Sequence, residues 1–188
     1  PWLLPIGYEN LNGLDVYSET IAELDRQTKR LFSALETNGR ASSARMFVAG
    51  THGNSLGEHG ESRPGWYAYE STIRVPMVLW WGIEADIELN RGTQVNGRSS
   101  LLDILPTIGA IEGFDVPQQE GISLLAPASS GIMPQRELAF ESLYPAMGWG
   151  ALPIFGVIDE SGQTWFEGSP PTLYDLQTDS GQLQNRYK

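Results

Sequence analysis

The chain has 188 residues, 40% of them hydrophobic, and its 23 acidic and 12 basic side chains give a net charge of −11. This length allows one domain with a substantial core. The acidic balance excludes a general nucleic-acid-binding surface. Because the sequence has no cysteine, it excludes a disulfide framework, a thiolate metal site and a cysteine nucleophile. No apolar run approaches the roughly 20 residues of a membrane helix, so we expect no membrane partner.

The first third of the chain predicts a helix, a strand and a glycine-rich loop in succession. Apolar residues recur at spacings of three, four and seven over residues 14–38 and alternate with charged ones, which indicates an amphipathic helix. Asn38-Gly39 then favours a left-handed helix end. The short apolar segment RMFVAG at 45–50 predicts a strand, and it leads directly into THGNSLGEHGE at 51–61.

The middle of the chain predicts a second strand and a second helix. IRVPMVLWW at 73–81 has strand length, although Pro76 lacks an N–H and therefore indicates an edge position, a strand start or a bulge. SSLLDILPTIGAIEGF at 99–114 predicts a short helix with a serine cap and one apolar face. Pro106 predicts a kink in that helix, because proline removes a backbone hydrogen bond.

The C-terminal third predicts mostly strands. Residues 116–134 are rich in Pro, Gly, Ser and Ala and indicate a surface loop. ELAFESLY, PIFGVIDE and QTWFEG predict three short strands, with Glu160-Ser161-Gly162 as a hairpin turn. LYDLQTDSGQLQN predicts a turn-rich tail. We therefore expect an α/β fold, a mixed sheet flanked by helices with a small C-terminal antiparallel β appendage, divided into 1–134 and 135–188.

The loop at 51–61 contains both histidines of the chain. A glycine-rich loop after a strand allows close backbone approach to an ion, and imidazole beside oxygen donors can bind a divalent metal. One hypothesis is a metal or oxyanion site that uses His52 with Glu58, His59 or Glu61. The alternative is that the glycines form turns and both histidines hydrogen-bond within the loop. Two histidines seven residues apart match no standard zinc spacing, so further carboxylates would have to come from distant segments.

Several segments, in one order, resemble the sulfatase family within the alkaline-phosphatase superfamily. In that family a metal-binding Asp-His-Gly follows a strand, and the chain ends near a Leu-Tyr-Asp-Leu segment. The strand predicted at 45–50 is the anchor of this resemblance. The segments that carry it are THGNSLGEHGE, YESTIRVPMVLW, SLLDILPTIGAIEG, GISLL and LYDLQTDSGQLQN.

The sequence departs from the family pattern at the positions that perform chemistry. Thr51 stands where the family has its metal-binding Asp, and a neutral hydroxyl is a poorer ligand for a hard cation than a carboxylate. Asn54 stands where Glu is usual. Pro64-Gly65 stands where the family places a His or Lys that contacts the ester oxygens, with Arg63 adjacent as a possible substitute. The resemblance therefore implies one metal ligand in this chain, His52.

The resemblance implies the C-terminal portion of a sulfatase-like hydrolase, with 1–134 as the C-terminal half of the α/β core and 135–188 as a small β subdomain. It implies a divalent metal such as calcium and a small-molecule or carbohydrate sulfate or phosphate ester as substrate. The family nucleophile and further metal-binding acids precede this region, so we expect the isolated chain to be incomplete or inactive, with the N-terminal half as its partner. The alternatives are a non-catalytic binding or scaffold domain of the same fold and an unrelated α/β domain.

Overall fold

The computed structural model describes residues 13–61, 64–117 and 120–188. Its helices and strands alternate through the first two thirds of the chain, and strands dominate the end. Two short 3₁₀ turns at 58–60 and 101–103 complete the pattern. The elements are α1 Gly13–Thr37, β1 Arg45–Ala49, α2 Glu70–Ile73, β2 Met77–Trp81, α3 Ile104–Glu112, α4 Leu125–Ser130, β3 Leu138–Ser142, α5 Tyr144–Trp149, β4 Ile154–Ile158, β5 Gln163–Phe166 and β6 Thr172–Asp175.

The chain divides into two compact units. The first ends at Met46 and includes Leu79–Asp86, and the second comprises Phe47–Val78 and Ile87–Lys188. The residues predicted to carry chemistry all belong to the second unit. The division into 1–134 and 135–188 expected from the sequence stays a prediction.

Helix α1 is the amphipathic helix that the sequence predicts. Its Phe32 ring packs edge-on against Trp80, with centroids 4.7 Å apart and planes at 87°, the favoured arrangement for two aromatic rings. The helix ends where Gly39 adopts φ 65°, a left-handed conformation that glycine takes without strain. Among the described helices, including this long one, none has the apolar length that crossing a bilayer requires.

Strand β1 lies where the sequence predicts it and pairs with β2. The N–H of Gly50 donates to the carbonyl of Pro76 at 3.1 Å, and that of Gly82 donates to Ala44 at 2.9 Å. From the first of these hydrogen bonds to the second, the residue number falls along β1 and rises along β2, so the two strands are antiparallel. Strand β2 begins at Met77 rather than at residue 73, because α2 occupies the start of the predicted segment. Pro76 therefore precedes the strand, where its missing N–H is not needed.

The C-terminal strands form one antiparallel sheet in the order β3-β4-β5-β6. The three predicted strands and their hairpin are confirmed, whereas β6 lies in the segment predicted as a tail. Gly156 is required in β4 because a Cβ there would lie 2.3 Å from the Phe140 ring. Ring packing across this sheet builds the buried core of Ala68, Phe166 and Tyr174, with Tyr69, Ile73, Phe140 and Ile154 against it.

A buried ion pair organises the segment between α3 and β3. The Asp103 carboxylate is fully buried, accepts from the backbone of Ser100 at 2.7 Å and Ile122 at 2.9 Å, and pairs with Arg136 through both oxygens. Because α3 begins at Ile104, Pro106 falls in its first turn, where a missing N–H removes no hydrogen bond within α3. The kink predicted at Pro106 stays a prediction.

Besides α2, two short helices were not predicted. α4 occupies part of the segment predicted as a loop, and α5 follows β3 within and beyond ELAFESLY. Both end at a glycine with positive φ, 76° at Gly131 and 66° at Gly150. A helix of six residues carries too few apolar repeats for periodicity to reveal it.

Candidate functional site

The strand-to-loop junction after β1 positions His52. The N–H of Gly53 donates to the carbonyl of Thr72 at 2.6 Å, which ties the loop to α2. A Cβ at Gly53 would lie 2.3 Å from the carbonyl oxygen of Ser71, so only glycine permits this close approach. Thr51 and His52 are left exposed just beyond the carboxyl end of the strand.

The His52 ring is oriented by its own loop. Its Nδ1 lies 2.6 Å from the carbonyl oxygen of Gly53. A carbonyl oxygen can only accept, so Nδ1 carries the proton and the neutral ring keeps its lone pair on Nε2. Fixing one ring nitrogen in this way is the arrangement typical of a histidine whose other nitrogen binds a metal or a proton.

The second histidine is engaged elsewhere. The ring of His59 stacks on Tyr69, with centroids 3.6 Å apart and planes at 14°. Its backbone has φ 56°, within the 3₁₀ turn. Burial, with a hydrogen bond to Tyr174, raises the pKa of the Tyr69 hydroxyl, which therefore stays protonated beneath the imidazole. His59 is thus part of the packing beside the core.

The two loop carboxylates also hold the loop together. Glu58 accepts from the backbone N–H of Leu56 at 2.5 Å, and hydrogen bonds from the backbone of Glu58 and Leu56 lower the pKa of its carboxyl. Glu61 is only 3% exposed. It accepts from the backbone of Trp66 at 2.8 Å and Tyr67 at 2.9 Å, and from the Thr72 hydroxyl at 2.9 Å. Glu58 therefore stabilises the loop from within, and Glu61 ties the end of the loop to the segment 66–72.

A cavity of about 390 Å³ opens beside His52, within the size range of ligand sites. It combines the imidazole with hydroxyl groups, apolar walls and one carboxylate, a set able to hold a polar group and an attached ring. Its far wall comes from β3, which the sequence did not connect with the loop. The lining residues are Thr51, His52, Pro64, Gly65, Tyr67, Ala68, Thr72, Ile73, Leu101, Phe140, Glu141 and Ser142.

Position 65 shapes this cavity by the absence of a side chain. Gly65 has φ 116°, and a Cβ there would lie 3.4 Å from the Tyr144 ring. The Ser142 hydroxyl donates to the carbonyl of Gly65 at 2.5 Å, fixing the loop to the end of β3. This backbone conformation is one that glycine adopts readily, whereas any other side chain at position 65 would be strained. Arg63, the adjacent cation, lies outside the described residues.

The metal-ligand set of the described segments is incomplete. Across residues 13–61, 64–117 and 120–188 no three His, Asp or Glu side chains come together in a group that could hold a metal ion. His52 offers one nitrogen, and Thr51 offers a neutral hydroxyl. A hard cation such as calcium takes six to eight oxygen ligands, several of them charged. These residues alone do not fit such an ion.

A second cavity of about 570 Å³ contains no residue of the 51–61 loop. Glu70 lies in its wall, and burial raises the pKa of that carboxyl against the opposing effect of Arg74 and Arg98. The backbone N–H of Glu70 donates to the side-chain oxygen of Gln182 at 2.7 Å. The C-terminal segment thus holds the start of α2, the same helix that contacts Gly53.

Known proteins resemble this chain in sequence and in fold. The sulfatase family model matches residues 5–113, more than half of the chain. Arylsulfatase K of Bos taurus is 29% identical over 185 residues, covering 90% of this chain and 32% of its own length. Arylsulfatase D of Homo sapiens is 27% identical over 123 residues, covering 57% of this chain and 19% of its own length. The chain therefore spans a third or less of these curated relatives.

Solved structures confirm the α/β fold class. BT4656, solved with its substrate D-glucosamine-2-N,6-O-disulfate, superposes with a TM-score of 0.73 at 21% identity, covering 88% of this chain and 34% of that one. Ps i-CgsB superposes with a TM-score of 0.72 at 16% identity, covering 95% of this chain and 40% of that one. The predicted resemblance is confirmed, and the chain belongs to the sulfatase family as a C-terminal portion of its fold.

Proposed function

We propose that this chain forms the His52 side of a sulfate-ester hydrolase site. The observation that carries the proposal is the oriented imidazole, whose Nδ1 is fixed by Gly53 and whose ring lines a cavity of ligand size at the end of β1. Sulfatase family membership supplies the reaction class. Hydrolysis places a water oxygen on sulfur and breaks the sulfur–oxygen bond to the alcohol, which leaves with a proton.

We propose His52 as one ligand of a divalent cation such as calcium. The lone pair on its Nε2 is suited to this role. Since the described residues do not complete a cation site, the other ligands and the nucleophile would come from the larger part of the family fold that this chain does not span. We expect the 188-residue chain alone to bind divalent cations weakly and to turn over no ester.

The residues of this chain have roles that need no ion. The hydroxyls of Thr51 and Tyr67 line the same cavity as the His52 imidazole, where they can donate hydrogen bonds to sulfate oxygens. Phe140 and Ile73 form apolar walls against which the alcohol part of the ester can pack. The chain would thus orient the ester and exclude water from one side of it.

A sulfated carbohydrate is the proposed substrate class. BT4656 carries a disulfated glucosamine as its substrate, and BT1596 is a 2-O glycosaminoglycan sulfatase of the same fold, with a TM-score of 0.64. A pyranose has polar edges and an apolar face, which matches the mixed polar and apolar lining of the His52 cavity. Phosphate esters remain an alternative to be tested with the same assay.

Calorimetric titration with calcium and manganese tests the proposed site. We expect wild-type chain to bind weakly, His52→Ala to bind less, and Thr51→Asp to gain about tenfold in affinity, because a carboxylate replaces a neutral hydroxyl. Gln94→Asp, an exposed position outside the cavity, adds the same charge and should change nothing. Equal affinities for Thr51→Asp and Gln94→Asp would contradict the proposal, as would hydrolysis of an aryl sulfate by the isolated chain.

We also propose that the sequence-based division has a structural counterpart. All four strands of the C-terminal sheet lie between residues 138 and 175, within the predicted 135–188 segment. Limited proteolysis should therefore cut near residue 134 before it cuts within the sheet. A first cut inside β4 or β5 would rule this division out.

A further inference from the structure

An exposed group of aromatic rings lies on and beside α5. Trp149 is 66% exposed and Tyr144 is 49% exposed, and Trp66 is partly exposed. We call these three residues the aromatic platform. A contiguous group of exposed apolar rings, unlike a single exposed side chain, is typical of a surface that binds a ligand or partner.

The platform rings hold one another in place. The centroids of Trp66 and Trp149 are 5.3 Å apart with planes tilted by 34°. Trp66 and Tyr144 meet edge to face at 6.1 Å and 84°. These distances fall in the favoured range for aromatic pairs. The exposed rings are therefore positioned by contact with Trp66 and keep accessible surface for a further flat partner.

The platform is tied to the His52 cavity by direct contacts. Trp66 follows Gly65, which lines the cavity and has the Tyr144 ring 3.4 Å from the place where a Cβ would lie. Ser142 also lines the cavity, and its hydroxyl donates to the Gly65 carbonyl at 2.5 Å, just before α5 begins. A molecule whose ester occupies the cavity and which extends past Gly65 would reach the platform.

The chemistry of these surfaces selects a sugar over an aliphatic or peptide partner. A pyranose presents a flat face of C–H groups to a ring and directs its hydroxyls sideways. The carboxylate of Glu141, an exposed residue that lines the cavity, can accept from such hydroxyls. A purely apolar chain would leave that carboxylate desolvated and unpaired, which is unfavourable.

We propose that the aromatic platform is a subsite that stacks a second, neighbouring sugar ring of the glycan whose sulfate ester enters the His52 cavity. The inference rests on the proposed function, because it extends that substrate from one ring to at least two. Trp149 supplies the main stacking face, and Trp66 and Tyr144 keep it in position. The platform binds the second sugar through its flat C–H face, so that sugar needs no sulfate group.

Saturation-transfer NMR on the full chain tests the subsite with two probes. One is chitobiose, which has no sulfate, and the other is a heparin-derived disaccharide with N- and 6-O-sulfates. We expect Trp149→Ala to weaken both by about 3- to 10-fold, the effect of losing one aromatic contact. Trp149→Phe should retain most of the affinity. Met147→Ala, on the same helix and 83% exposed, is the matched control and should leave both unchanged.

The two proposals fail in different ways. Thr51→Val, which removes a hydroxyl donor from the cavity, should weaken the sulfated probe alone. If it leaves that probe unaffected while Trp149→Ala still weakens both, the ester site is wrong and the platform stands. Equal effects of Trp149→Ala and Met147→Ala, in variants with native circular dichroism, would overturn the platform. The platform proposal would also be overturned if sedimentation showed a wild-type dimer that Trp149→Ala converts to a monomer, since a second copy of the chain would then cover these rings.

Discussion

Removing the Glu61 carboxylate should destabilise the chain strongly, because this buried group fixes the loop that follows His52. Its two oxygens accept three hydrogen bonds, from the backbone of Trp66 and Tyr67 and from the hydroxyl of Thr72. In Glu61→Ala all three donors lose their acceptor, although water can reach the exposed Tyr67. Hydrogen bonds to a charged group contribute about 1.5 to 3 kcal/mol each and are not additive. We therefore expect a loss of about 3 to 4 kcal/mol in the free energy of unfolding.

Glu61→Gln separates the hydrogen bonds from the charge. The amide oxygen can still accept from both backbone N–H groups, and the Thr72 hydroxyl can rotate to accept from the amide nitrogen. We expect a loss of about 1 kcal/mol for this variant, and less than about 0.5 kcal/mol for Glu160→Ala in an exposed turn.

Urea unfolding followed by circular dichroism measures these differences as shifts of the midpoint at constant slope. A Glu61→Ala variant within about 0.5 kcal/mol of wild type would refute the reasoning, since the three hydrogen bonds would then be replaceable by water. A Glu61→Gln variant as unstable as Glu61→Ala would show that charge, rather than hydrogen-bond geometry, holds the loop.

Three further perturbations test other parts of the fold. Because burial raises the pKa of Glu70, the folded chain binds that proton more tightly than the unfolded chain, so the contribution of Glu70 to stability should fall as pH rises above about 4.3. In a series of melting curves, Glu70→Gln should therefore gain stability relative to wild type as pH rises, and a difference between the two that does not depend on pH would contradict this. Arg136→Met leaves the buried carboxylate of Asp103 without its ion-pair partner and should lower the free energy of unfolding by about 3 kcal/mol. An unchanged midpoint of urea unfolding would show that the backbone hydrogen bonds to Asp103 stabilise its charge without Arg136. Gly53→Ala forces a Cβ to 2.3 Å from the Ser71 carbonyl oxygen and should lower the free energy of unfolding by about 2 kcal/mol or more. Thermal melting measures this loss, and a wild-type melting temperature would contradict it.

Sequence patterns predicted the parts of the fold that depend on local periodicity or on turn residues. α1, β1 and the hairpin around Glu160-Ser161-Gly162 occur where expected. Sequence patterns failed for elements whose secondary structure depends on contacts with distant parts of the chain. The four residues of β6 were predicted as part of a tail because turn-forming residues follow them directly at 177–181. Pairing with β5, as between Thr164 and Tyr174, makes this short segment a strand. α4 and α5 are too short to show a repeat.

The candidate site was only partly predictable for the same reason. The position of His52 after a strand follows from the order of segments, and the structure brings Thr51 and His52 to one cavity. Glu141 and Ser142 belong to that cavity although about 90 residues separate them from the loop. A sequence alone gives no distance between such segments. The segment ELAFESLY was predicted only as a strand, and nothing in that pattern linked it to the loop.

The most direct test of the account uses the fact that the chain has only two histidines. Spectra of the imidazole carbons of His52 and His59, recorded while manganese is added in small amounts, report which ring lies at the cation position. The account predicts that His52 signals broaden at low manganese, whereas His59, stacked on Tyr69, keeps its line width. Broadening of His59 before His52, or of neither ring up to millimolar manganese, would contradict it.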